Sequence, residues 1–251
     1  MSRLSEQTKQ ELVNLINKEI SINNISKKLG LCKSTIYYYY KKVKGRKIIS
    51  PKFEIIDSEA EGEIIGAFAA DGCSCPQSQY QVTYIFGIDE DNYANDFIKL
   101  LYSYFNKPPY KYKRKQNNTI ILRYKSKLIY RFIQQHLVWE NPKTYSIKLK
   151  STNHSKEFIK GYLRGYFDCD GYTEKKYSRI EIMSVSKNSI DQIIYFLRLF
   201  EYNPKLKSYH NKKLNKKRLY TVRLNKQDAI KFLDFIQPRN PKRRLDGAAR
   251  I

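Results

Sequence analysis

Residues 63–72 read EIIGAFAADG, and residues 160–171 read KGYLRGYFDCDG. At an offset of 99, Gly62 answers to Gly161, Gly66 to Gly165, Ala70 to Cys169, Asp71 to Asp170 and Gly72 to Gly171. A small residue recurs at every fourth position, and an Asp-Gly pair ends each stretch. Residues four apart share one helix face, so each stretch predicts a helix with a narrow stripe that carries almost no side-chain bulk. Two such stripes let two helices cross with their backbones nearly touching. The crossing would bring Asp71 and Asp170 together at one end.

Outward from the two stretches, the same order of elements recurs. The segment 79–86 alternates, with Tyr80, Val82 and Tyr84 on one face and Gln79, Gln81 and Thr83 on the other, which predicts a half-buried strand. An amphipathic helix is expected over 95–105, broken by Lys107-Pro108-Pro109. Then YKYKRKQ places Lys111, Lys113 and Lys115 on one face, a strand over 119–125 turns Arg123 and Lys125 outward, and 127–137 is again helical. After the second Asp-Gly come a strand over 177–185 with Ile180 and Ile182 inward and Arg179 and Glu181 outward, a helix over 189–200, a very basic hairpin or loop over 204–217, a strand over 218–224 and a helix over 227–236. The body therefore reads as an α+β fold of two α-β-β-α-β-β-α halves, 60–143 and 158–251, joined by a linker at 144–157. Asn141-Pro142-Lys143 and Asn240-Pro241-Lys242 close the two halves, again 99 apart. Asn-Pro starts turns; repeated here, it also predicts a lysine delivered to a fixed place beside each Asp.

Residues 1–45 read as a separate three-helix unit. Ser5 caps a helix with apolar positions Leu12, Leu15 and Ile16, a second helix over 22–29 stops at Gly30, and a third begins near Ser34 and runs to Tyr40. The pattern Ile25, Leu29, Gly30, Leu31, Ile36 fits a helix-turn-helix and resembles the small DNA-binding units of recombinases and transposases. Lys33, Ser34, Thr35, Tyr37 and Tyr38 would then face a major groove. The stretch 46–59, with Pro51 and no helical period, is expected to be a linker.

Composition points the same way. The 251 residues carry a formal charge of +24, far more than solubility needs, which implies a polyanionic partner. There is no apolar run near 18 residues, no strongly amphipathic basic helix and no signal peptide, so nucleic acid is expected rather than membrane, and the resemblance described below narrows it to double-stranded DNA. An intracellular location follows as an expectation: cytoplasm or nucleoid, or an organelle or nucleus in a eukaryote. The 22 tyrosines are interleaved with lysine, although AT-rich codon usage also raises both. Four cysteines without paired spacing and three scattered histidines make a structural zinc site unexpected.

A carboxylate at a helix C-terminus is disfavoured by the helix dipole, and two held close together repel. A divalent cation removes both penalties, and an all-oxygen set of carboxylates and backbone carbonyls selects a hard ion, Mg²⁺ first, with Mn²⁺ able to substitute. On a basic, phosphate-seeking surface, such a centre suits phosphodiester hydrolysis.

These two motifs resemble the paired signatures of LAGLIDADG homing endonucleases in their single-chain form, over about residues 60 to 245. The resemblance implies that Asp71 and Asp170 bind the essential metal, with Gly72 and Gly171 beside them. It further implies that the motif helices form the interface of a pseudo-two-fold monomer, and that two four-stranded sheets straddle a long DNA site of which both strands are cut. Ala69 departs from the common motif where Asp168 keeps it. Lys187 matches a basic residue expected at the end of the second strand, whereas the first half offers Asp89 and Glu90 there. Lys143 and Lys242 are expected at the margin of the active site. Gln79, Gln81, Thr83, Arg123, Lys125, Arg179 and Arg223 would meet DNA from the strand faces, and Lys111, Lys113, Lys205 and Lys207 would meet phosphates. A regulatory or inactive DNA-binding protein and an RNA maturase on the same scaffold are the alternatives. An intein is not expected, because the chain opens with its own binding unit and ends in GAARI.

Overall fold

The computed structural model describes residues 4–45, 50–210 and 218–245, in two compact units, Met1–Ser50 and Pro51–Ile251. In the first unit, α1 spans Glu6–Asn17, α2 Ile22–Leu29 and α3 Lys33–Lys44. Ser5 and Ser21 cap α1 and α2 by accepting from the backbone N–H of Thr8 and Asn24. Gly30 takes a left-handed φ of 64° at the end of α2, a conformation open to glycine at little cost. The Ser26 hydroxyl closes the turn by donating to the Leu31 carbonyl at 2.7 Å. Leu12, Leu15, Ile16, Ile25 and Ile36 form the core. Helix α3 runs one turn beyond the expected Tyr40, because Tyr39, Tyr40 and Val43 also pack on that core.

In the second unit, the first half holds α4 (Glu59–Asp71), β1 (Gly72–Cys75), β2 (Gln81–Gly87), α5 (Asp91–Phe105), β3 (Tyr110–Arg114), β4 (Thr119–Lys125) and α6 (Lys127–His136). A short β5 (Leu137–Val138), α7 (Lys143–Ser146) and β6 (Lys148–Leu149) follow. The second half holds α8 (Lys156–Asp170), β7 (Gly171–Glu174), β8 (Arg179–Ser184), α9 (Lys187–Leu199), β9 (Lys205–Tyr209), β10 (Leu219–Asn225) and α10 (Lys226–Ile236). Each half is the expected α-β-β-α-β-β-α unit, with antiparallel sheets in the order β1-β2-β4-β3 and β7-β8-β10-β9. Val82, Tyr84, Phe86, Ile120, Leu122 and Tyr124 on one sheet, and Ile180, Ile182, Val222 and Leu224 on the other, face the helices and build a single core. No described helix is long and apolar enough to cross a membrane.

Three local features differ from the sequence expectation. Part of the stretch read as a linker belongs to the body: Pro51 is buried, Lys52 N–H donates to the Phe105 carbonyl, and Phe53 packs edge-on against Phe105 and Phe132. Between the halves, β6 pairs with β5, so 144–157 is not plain connection. Gln79 and Tyr80 have φ of 61° and 55° and lie in the turn before β2, outside the strand.

The two motif helices meet as the small-residue stripes require. Ser58 and Ser155 cap α4 and α8. A Cβ on Gly62 would lie 2.0 Å from the Phe158 carbonyl oxygen, and one on Gly66 2.1 Å from that of Tyr162. Reciprocally, a Cβ on Gly161 or Gly165 would lie 1.9 or 2.1 Å from the carbonyls of Glu59 or Glu63. No side chain fits there, and the pattern is the isologous contact of a pseudo-two-fold axis.

Candidate metal centre and nucleic-acid surface

Helices α4 and α8 end at Asp71 and Asp170, and Gly72 and Gly171 turn the chain directly into β1 and β7. A Cβ on either glycine would strike the Phe68 or Phe167 ring at 2.3 Å, so glycine is required for this tight exit. Among the described residues, neither aspartate accepts a hydrogen bond. Burial pushes Asp71 up to about 6; Lys143 and Arg243 oppose that rise and the negative Glu90 adds to it. Burial, then the charge of Asp71, pushes Asp170 up to about 7 against the same two cations.

Lys143, the first residue of α7, donates to the carbonyls of Phe68 and Ala69 at 3.0 Å each; the Phe68 oxygen also accepts from the Gly72 N–H that caps α4. Burial lowers its pKa to about 8, against the pull of Asp71 and Asp170. The second half uses a different residue. Arg243 donates to the carbonyls of Cys169 at 2.7 Å and Asp168 at 3.3 Å near the end of α8, a pair one residue further along the helix than the pair Lys143 takes on α4.

Lys242, expected at the margin of the site, and Lys187, expected to serve it from the end of the second strand, both pair with surface carboxylates instead. Lys242 lies at the surface, 2.6 Å from Asp89 and 3.7 Å from Glu90, and Lys187 pairs with Asp191 at 2.6 Å on the exposed first turn of α9. The physical reason for the shift lies in Asp168 and Asn240. The buried Asp168 carboxylate accepts from the N–H groups of Arg239 and Asn240 at 3.0 and 3.1 Å, and the Asn240 side chain bonds Glu90, the Asp168 carbonyl and the Lys242 N–H. That clamp leads into a tight turn over Pro241–Arg243, which carries Arg243 rather than Lys242 inward. Ala69 has no carboxylate with which to build the equivalent clamp. Asp89 and Glu90 face this second-half turn across the interface.

The donor set fits a hard divalent cation. It has two half-buried carboxylates, without hydrogen-bond donors among the described residues, at the ends of α4 and α8. Among the described residues, no group of three or more His, Cys, Asp or Glu side chains is gathered for a metal. For such an ion the side chains would supply two charged ligands, and water or phosphate oxygens would complete the shell.

The two sheets present broad faces opposite the helical layer. On the first, one cross-strand row holds Cys73, Thr83, Arg123 and Tyr110, and the next holds Cys75, Gln81 and Lys125. Gln81 donates to the Thr83 hydroxyl at 3.2 Å. Lys111 and Lys113 lie in the other phase, opposite Leu122 and Ile120, and turn to the helical side. There Lys111 bonds Asp91 at 2.5 Å and Asn95 at 2.7 Å, and Lys113 bonds Asp91 at 3.1 Å. The open face instead receives Tyr110, Tyr112 and Arg114, which the sequence did not single out. Alternation in YKYKR is equally good in both phases, and only pairing with β4 selects one. On the second sheet, Lys205, Lys207 and Arg223 share the open face with Arg179 as expected. In the N-terminal unit, Lys33, Ser34 and Tyr38 are exposed on α3, and Thr35 and Tyr37 are half-buried.

A buried ion network, not anticipated from the sequence, crosses the helix interface. Arg164 bonds Glu63 at 2.9 Å, Glu59 and the Ile236 carbonyl, while Glu61 meets His136 at 2.9 Å and the Tyr104 hydroxyl at 2.7 Å. Charged residues placed between interface glycines were the available signal.

Residues 157–237 match the family described as LAGLIDADG-like domain. The Replication factor C small subunit of Methanocaldococcus jannaschii is 26% identical over 209 residues, covering 80% of this chain and 11% of that protein. The Probable translation initiation factor IF-2 of the same organism is 34% identical over 88 residues, covering 33% of this chain and 7% of that protein. The chain thus spans about a tenth or less of the length of the curated relatives it matches. Among solved structures, the homing endonuclease I-DmoI in complex with DNA and Mn superposes with a TM-score of 0.53 at 14% identity, over 72% of this chain and 97% of that one. Full-length WhiA from Thermatoga maritima superposes with a TM-score of 0.53 at 14% identity, over 95% of this chain and 63% of that one. The second half thus carries a LAGLIDADG-like domain, and the body as a whole shares the fold of I-DmoI.

Proposed function

We propose that the protein is a site-specific, divalent-metal-dependent endonuclease that cuts both strands of a long DNA duplex. The observation that carries this reading is the pair Asp71 and Asp170, half-buried and without hydrogen-bond donors among the described residues, at the ends of two helices in glycine-level contact. Keeping both acids there costs stability unless a cation is bound. Asp71 and Asp170 would hold Mg²⁺ or Mn²⁺, with backbone oxygens near Gly72 and Gly171. When bound, such an ion eases deprotonation of a water and stabilises the leaving oxygen. The chain's own residues do the rest. Lys143 and Arg243, anchored on helix-end carbonyls, place one cation beside each half of the centre, where negative charge develops on a scissile phosphate. The open sheet faces hold the duplex, and the helix-turn-helix of residues 1–45 adds a second contact, chiefly through α3.

A binding-only role is the second reading. It is favoured by the two cations already beside the acids, which partly compensate them without a metal.

Selection from a randomised duplex library with Mg²⁺ separates the two readings. Cleaved products that share one site support the endonuclease. Tight binding without cleavage under Mg²⁺ or Mn²⁺ selects the binding-only role.

A further inference from the structure

The cross-strand rows of the two sheets can be compared position by position. In the first sheet the row is Cys73, Thr83, Arg123, Tyr110, and in the second it is Tyr172, Glu181, Arg223, Lys205. An arginine therefore occupies the same place on the third strand of both rows, facing away from the core. What holds it differs.

Arg123 lies 5.4 Å from the ring centroid of Tyr110 and 5.0 Å from that of Tyr112, whose rings are 5.6 Å apart. Its strand neighbour Thr83 is a hydroxyl already receiving the Gln81 amide. Among the described residues, Arg123 has no carboxylate partner. Aromatic contact orients a guanidinium through its π-face and leaves its five N–H donors unspent. Arg223 is held the opposite way. Its Nε donates to Glu181 at 2.8 Å and a terminal nitrogen lies 2.5 Å from the same oxygen. Arg179 joins the ladder through Glu174 and sits 3.9 Å from Glu181. The donor edge of Arg223 is already committed.

We propose that Arg123 is the guanine-reading residue of the first half-site, and that Glu181 closes the corresponding arginine of the second sheet, so the two half-sites differ in sequence at this matched position. An arginine with a free fork matches the O6 and N7 acceptors of guanine in the major groove. The tyrosines pre-set the direction of the fork and reduce the entropy lost on contact. In the second sheet, a guanine must compete with a carboxylate that already sits in the fork. The inference rests on the proposed reading of DNA by the sheets, and it specifies which base that reading demands.

The test is binding selection of the full-length protein on a randomised duplex DNA library in Ca²⁺, scored as base frequency at each position. The wild type is expected to select guanine at one position of one half-site. Arg123→Ala, and Arg123→Met to keep the packing on Tyr110 and Tyr112, should each lower that single preference about ten-fold and leave other positions unchanged. Glu181→Thr, which copies the first sheet, should create a guanine preference at the pseudo-symmetric position. An unchanged profile for both Arg123 variants, or a uniform loss of affinity at all sites, overturns the proposal, since the latter marks a phosphate contact. Failure of Glu181→Thr to add guanine overturns the assigned role of the carboxylate. If the wild type enriches no sequence at all, it is the underlying DNA-reading function that falls.

Discussion

The two halves of this molecule agree at their helix interface and diverge around it. Four glycines in equivalent places bring α4 and α8 to backbone contact, and two aspartates leave that contact at the same point. Around them, Lys143 is matched by Arg243, Ala69 by Asp168, and the aromatic cradle of Arg123 by the carboxylate partner of Arg223. The difference shows where symmetry is physically enforced. Backbone-to-backbone packing tolerates no added atom, whereas the cations need only reach two carbonyls near a helix end, which ammonium and guanidinium both do. A duplicated fold can therefore keep its interface and let each half take its own substrate contacts.

Several measurements would break or sharpen that comparison. The largest effect is expected at the shared aspartates. Asp71→Asn and Asp170→Asn should each lower double-strand cutting by at least about 1000-fold, while filter-binding affinity for the site is kept. Without divalent metal, both variants should also be more stable than wild type at pH 8, by about 1–3 kcal/mol in denaturant melts. The sign follows from the raised pKa values. Each carboxyl favours the fold fully below about pH 4 and loses that contribution as pH rises through about 6 for Asp71 and about 7 for Asp170. The gain should vanish near pH 4, and a gain persisting there would contradict the assigned cause.

Next come the interface glycines. Gly66→Ala and Gly165→Ala should each cost about 3 kcal/mol, because the added methyl meets backbone rather than a mobile side chain. Equal losses would support the symmetry, and a loss at only one would break it. Lys143→Met and Arg243→Met should each slow cutting roughly 100-fold and accumulate nicked duplex. The two variants are expected to spare opposite strands; nicks in the same strand from both would show that the cations do not serve separate centres. Asp168→Ala should cost about 2 kcal/mol by releasing two backbone N–H groups, with no counterpart on the Ala69 side. Smallest of all, Lys187→Ala should change stability by less than about 0.5 kcal/mol and leave cutting intact, since its pair with Asp191 is at the surface.

Much of this arrangement was legible in the chain. The interval of 99 residues between Asp71 and Asp170, the four-residue spacing of glycines and the apolar alternation of the strands follow from local periodicity, and so predicted the duplicated α+β body and the meeting of the two acids. The three helices of residues 1–45 followed from caps and a glycine stop. Other features were not legible, each for a physical reason. Lys111 and Lys113 turned to the helical side because register is set by the partner strand, and a one-residue slip inverts every side chain of an alternating segment. Arg243 replaced Lys242 at the centre because a clamp made by Asp168, seventy-four residues before Lys242 in the chain, sets the path of the turn.

By itself, the sequence determined what periodicity and steric exclusion determine: which segments are helices, which faces are bare, and that two carboxylates must end side by side. Tertiary structure alone decided which cation stands beside each acid and which arginine keeps its donors free. Those choices depend on contacts between residues far apart in the chain, and a linear pattern does not encode the competition among partners that only the folded packing resolves.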